Sequence, residues 1–154
     1  MTAPQAAGAG PVDIPEGFVA LASGGPFMLH NGPLYMLQQP GVLKFGFRVE
    51  PRHANPVNHL HGGMMACFCD LLMPLSVHRQ RAEVAGRFLP TISLQIDYLA
   101  PAPLGAWVEG EALALRVTRS LVFAQGLVTA DGVACARTSG VYKIGPAAHP
   151  DAVE

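Results

Sequence analysis

A chain of 154 residues, half of them hydrophobic, fits one domain with one sizeable core. With 10 Lys and Arg against 11 Asp and Glu, the formal net charge of −1 and the lack of a basic stripe exclude a general nucleic-acid binder. Only 14% of residues are charged and the mean hydropathy is +0.29, so some apolar surface is expected to be buried against a second subunit.

Three cysteines, Cys67, Cys69 and Cys135, do not make a disulfide framework, and a reducing, cytoplasmic compartment fits them better. The start, Met1 to Pro15, has no basic segment followed by an apolar one, so no secretory signal is expected. The longest apolar stretch, Met64 to Val77, is interrupted by Asp70, Pro74 and Ser76 and is shorter than the ~20 residues a bilayer requires, so no membrane partner is expected.

In chain order, residues 1–15 are rich in Ala, Gly and Pro and are expected to be a loose tail, as are residues 147–154. Residues 16–146 form a single domain without linker or repeat. Asp13 to Leu21 reads as a short helix, with Asp13 as N-cap and Pro15 in the first turn. Asn31-Gly32-Pro33 is a turn between Phe27–His30 and Leu34–Gln38. Over residues 41–49, Leu43, Phe45, Phe47 and Val49 alternate with Lys44, Gly46 and Arg48, which predicts a half-buried strand.

Residues 50–60 hold two prolines and form a loop. A helix follows from Gly63 to Arg81, apolar all round in its first half and so expected to be buried on every side. Pro74 has no N–H for the Asp70 carbonyl, which predicts a kink or break there. Thr91 to Tyr98 alternates, with Ile92, Leu94, Ile96 and Tyr98 on one face. A turn at Pro101–Gly105 leads to strand-like runs over Trp107–Thr118, Leu121–Thr129 and Val133–Ile144, the last two joined by the hairpin signal Asp131-Gly132. This is an α+β pattern, read as a curved antiparallel sheet wrapped around one central buried helix.

Asp70 carries the most information. It is the only acidic or basic residue between His61 and His78. Burying an ionised carboxylate without partners costs several kcal/mol or more, so a structural hydrogen bond, a metal or catalysis must account for it. Gly62-Gly63 at the helix start offers N–H groups that bind anions or a developing oxyanion, or makes a plain tight turn. His53, His59, His61, Cys67 and Cys69 do not have metal-site spacing, since two cysteines two apart on a helix point about 200° apart, and no metal is expected. Neither Cys67 nor Cys69 has an adjacent cation that would activate it as a nucleophile.

The run Asn55-Pro56-Val57-Asn58-His59-Leu60-His61-Gly62-Gly63, followed by Asp70, resembles the active-site segment of hotdog-fold thioesterases, in the branch of phenylacetate-degradation-type and thioesterase superfamily member 2-like proteins. The likeness extends over about residues 27–144 and includes Thr91–Tyr98, the Leu99–Gly105 turn and the Arg119–Phe123 corner. It implies the hotdog fold and hydrolysis of a medium-chain or aryl acyl-CoA, with no cofactor beyond the coenzyme A of the substrate.

Residue by residue, the resemblance makes Asp70 the general base or nucleophile and the Gly62 N–H the donor to the thioester carbonyl. His61 shapes the oxyanion site, Asn55 contacts the thioester or orients water, and Thr91 holds the attacking water. Gly63, Arg119 and Ser120 are candidate substrate contacts, with Arg116, Arg137 and Lys143 as further cations for nucleotide phosphates. It also implies a homodimer, commonly paired into a tetramer, with Asp70 and Asn55 of one site on different subunits. Asn58 stands where relatives have Gly, and Pro74 is a second departure. The alternatives are a hotdog hydratase or dehydratase, which the Gly62-Gly63 pair after His61 disfavours, and a non-catalytic acyl-CoA binding protein.

Overall fold

The computed structural model describes residues 13–21 and 25–147; of the tails predicted over 1–15 and 147–154, residues 1–12 and 148–154 lie outside the described residues. Seven strands form one antiparallel sheet: β1 (Val19–Ala20), β2 (Tyr35–Gln39), β3 (Val42–Arg48), β4 (Thr91–Tyr98), β5 (Trp107–Val117), β6 (Leu121–Ala130) and β7 (Val133–Lys143). Their order is β1-β2-β3-β5-β6-β7-β4. A short helix α1 (Gly25–Asn31) precedes β2, and the long helix α2 (Gly62–Gln80) lies between β3 and β4 in sequence.

The β6–β7 turn follows directly from its two residues. Asp131 (φ 45°) and Gly132 (φ 81°) both take the positive φ that a two-residue hairpin needs. The strand expected over 41–49 is β3, with Phe45, Phe47 and Val49 buried.

α2 packs into the sheet through Met65, Phe68, Cys69, Leu72, Met73, Ser76 and Val77, a stripe at spacings of three and four. The helix approaches β5 closely because residue 110 is glycine: a Cβ there would stand 2.6 Å from Leu72 Cδ2. The far end is tied down by Gln80, whose side chain donates to the Ala112 carbonyl (2.6 Å) and accepts from the Ala114 N–H (2.9 Å). These bonds fix the rotation of α2 and hence the direction in which Asp70 points.

Five expectations change. Residues 13–21 do not form a helix. Gly17 takes a positive φ of 86°, which breaks a helix, and Val19–Ala20 instead pair with the free edge of β2. Residues 13–15, expected in the tail, are held, since Arg48 donates to the Asp13 carbonyl (Nε, 3.0 Å). α2 is buried on one face only, because the sheet covers one side; Met64, Ala66, Cys67, Leu71, Pro74 and Leu75 remain half-exposed. α2 also runs unbroken through Pro74. Finally, β4 does not lead into β5 as the first strand of a meander: it pairs with β7 at the far edge, and residues 99–106 carry the chain back across. No helix among the described residues is long and apolar enough to cross a membrane.

Candidate active site

Asp70 lies on the flank of the buried stripe of α2, half-exposed, beside the start of β4. There the Thr91 hydroxyl donates to Asp70 Oδ1 at 2.6 Å. A one-residue slip in the sheet makes this contact. Leu94 pairs with Gly140 and Ile96 with Thr138, and both leucine and isoleucine pack on the core. Strict alternation would then place Ile92 inward, opposite Tyr142. The register shifts between Thr91 and Ser93, so Thr91 takes the position opposite Tyr142 and Ile92 is expelled, 58% exposed. A bulge re-aims a side chain in this way. The expectation of Ile92 on the inner face is thus corrected, and the same shift delivers Thr91 to the helix.

The second group of residues sits at the start of α2. His61 is its N-cap, with Nδ1 accepting the Gly63 N–H at 2.9 Å. That N–H is therefore occupied. The Gly62 N–H donates to no group among the described residues and points outward from the first turn. Asn55 Oδ1 accepts from Val57 N (3.0 Å) and His59 N (3.1 Å), which closes the loop before the helix. Asn58 takes the left-handed conformation, at φ 59°, that glycine adopts most readily and Asn more readily than most residues. Asn55, His59, Gly62, Met65 and Tyr98 line an open cleft of about 360 Å³.

The two groups are separate within one chain. Gly62 and Asp70 are eight residues apart on α2, so they are about 12 Å apart along the helix axis at ~1.5 Å per residue. Arg119 and Ser120 lie on the exposed β5–β6 turn, at the Thr91 end of the sheet and away from the Gly62 cleft. Arg137 is engaged by Asp97 (2.7 Å). Burial pushes the Cys69 thiol up to about 12 and Cys135 up to about 11, and it raises Cys67 with help from the Asp70 charge. All three remain protonated near neutrality, the poorly nucleophilic form.

The profile of the thioesterase superfamily matches residues 57–136, over half of the chain and spanning α2, β4, β5 and β6. The chain belongs to the thioesterase superfamily. Its sheet and helix are the hotdog fold. Zebrafish thioesterase superfamily member 2 is similar to it at 25% identity, covering 79% of this chain and 87% of the other, with a TM-score of 0.66. A Bacillus halodurans protein solved with CoA shares 25% identity over 70% of each chain, with a TM-score of 0.62. A Pseudomonas aeruginosa protein named "Putative esterase" is 23% identical over 86% of this chain and 98% of its own.

In this superfamily member two tyrosines, Tyr98 and Tyr142, stand by the candidate groups, and the strand pattern of the sequence does not show their contacts. The Tyr98 hydroxyl donates to the Gly62 carbonyl at 2.9 Å, and its ring lies over Gly62 Cα. Tyr142 is the cross-strand partner of Thr91. Pattern reading gave Tyr98 its face but not its reach to the helix start, which depends on where β4 ends relative to α2.

Proposed function

We propose that the protein is an acyl-CoA thioesterase acting on a medium-chain or aryl acyl-CoA. The hydrogen bond from Thr91 to Asp70 carries the reading, with superfamily membership and the CoA-bound relative in support. Thr91 commits its proton to Oδ1, so its oxygen lone pairs are free to accept from a water beside Oδ2. Asp70 takes a proton from that water as general base while the water oxygen bonds to the thioester carbonyl carbon. The carbonyl oxygen, gaining charge, is met by the Gly62 N–H at the positive end of α2. The C–S bond then breaks, and the thiolate recovers the proton from Asp70, giving the free acid and CoA.

One chain cannot bring both groups to one carbonyl across about 12 Å. Each site is therefore shared in a homodimer, with Gly62, His61 and Asn55 from one copy and Asp70 and Thr91 from the other. The half-exposed apolar flank of α2 is the surface a second copy would cover. Gly63 shapes the helix start, and Arg119 and Ser120 meet the nucleotide end of the substrate.

The test is CoA release from short, medium and aryl acyl-CoAs by wild type and Asp70→Asn. The reading predicts turnover of at least one medium-chain or aryl thioester, and a folded Asp70→Asn variant slower by about 10²-fold or more. Binding of acyl-CoA without turnover by wild type would instead establish the non-catalytic alternative.

A further inference from the structure

Tyr142 is fully buried, yet its hydroxyl has no hydrogen-bond partner among the described residues. A buried hydroxyl left unpaired destabilises the fold, a cost Phe at the same position would avoid. The surroundings are built to admit this ring. Residue 140 is glycine, and a Cβ there would stand 2.7 Å from the Tyr142 hydroxyl and 2.9 Å from Met73 Cε. The ring is thereby laid along β7 against the turn of α2 that follows Asp70.

Tyr142 is also directly opposite Thr91 in the β4–β7 ladder, and paired residues share a face of the sheet. That face carries the Thr91 hydroxyl to Asp70 Oδ1. Thr91 supplies one donor to the carboxylate, and Asp70 has no ion pair among the described residues. We propose that the Tyr142 hydroxyl is the second donor, acting on the free Asp70 oxygen through one bridging water, and so fixes the carboxylate for reaction. Burial raises the Tyr142 phenol and the Asp70 charge raises it further, which keeps it a donor throughout the working pH range. Tyr142 is thus a positioning residue: it acts on Asp70 through that water and does not meet the substrate.

The proposal rests on the thioesterase reading for its kinetic consequence but not for the contact itself, and the test separates the two. Tyr142→Phe keeps the ring. It should lower kcat about tenfold with KM within about twofold, because the lost contact orients the base and does not bind substrate. In thermal unfolding Tyr142→Phe should lower Tm by about 3 °C in the wild-type background and by nothing measurable in an Asp70→Ala background. Equal Tm changes in the two backgrounds would overturn the proposal, as would a wild-type kcat in Tyr142→Phe. If wild type turns over no thioester, the thioesterase reading fails and the Tm cycle alone decides the contact.

Discussion

Thr91, the first residue of β4, donates its hydroxyl to Asp70 in the middle of α2 across 2.6 Å, and a single-residue slip in the β4–β7 ladder makes the contact. Without that slip Ile92 would face the helix, and Asp70 would lose its partner.

Thr91→Val keeps the shape of the side chain and removes the donor. It should lower kcat about 10- to 100-fold, with a smaller change in KM, because the bond orients the base and the water. Steady-state kinetics on the preferred acyl-CoA, with circular dichroism to confirm folding, checks this. A kcat within twofold of wild type would remove Thr91 from the mechanism.

Tyr98→Phe removes the bond to the Gly62 carbonyl and leaves the ring over the helix start. One hydrogen bond of this kind contributes about 0.5–1.5 kcal/mol, so Tm should fall by about 2–4 °C. KM should rise as the Gly62–His61 turn loosens. Differential scanning calorimetry beside kinetics separates the two effects.

His53 gives the stability a pH dependence. It is buried, with Nδ1 accepting from the Glu50 N–H (3.1 Å) and Nε2 against the Asn31 carbonyl (2.9 Å), an arrangement that requires the neutral ring. Burial, chiefly, holds its pKa below the ordinary 6.5 in the folded state. The unfolded chain then binds more protons, so stability falls as pH drops below about 6.5 and the loss levels off once the lowered folded value is passed. Urea midpoints at pH 7.5 and 5.5 should differ more for wild type than for His53→Gln; equal differences would contradict this.

What the sequence made legible follows from local chemistry. Asp70 stood out because no other acidic or basic residue lies between His61 and His78, and the Asp131-Gly132 turn because its two residues accept positive φ. What it concealed depends on long-range register. The Thr91–Asp70 bond needs the bulge at Ile92, which alternation alone places on the wrong face. Val19–Ala20 became a strand because β2 offered an edge, a fact outside the local run that read as a helix. The one-sided burial of α2 shows only once the sheet is seen to cover a single face.

On the proposed mechanism, the Gly62 N–H of one copy and Asp70 of another act on one thioester. Gly62→Pro removes that N–H alone: proline suits the first helical position, His61 already has the extended backbone (φ −62°, ψ 134°) a following proline needs, and a Cβ at residue 62 meets Tyr98 only at 3.6 Å. Gly62→Pro and Asp70→Asn should each fold and lose activity, by about 10²- to 10³-fold for the oxyanion donor. The decisive measurement is thioester hydrolysis by hybrids of these two variants, co-expressed under two affinity tags and purified through both. Each hybrid dimer contains one site with both groups intact, so about half of the wild-type activity per dimer should return. Hybrids as inactive as their parents would contradict a site shared between copies.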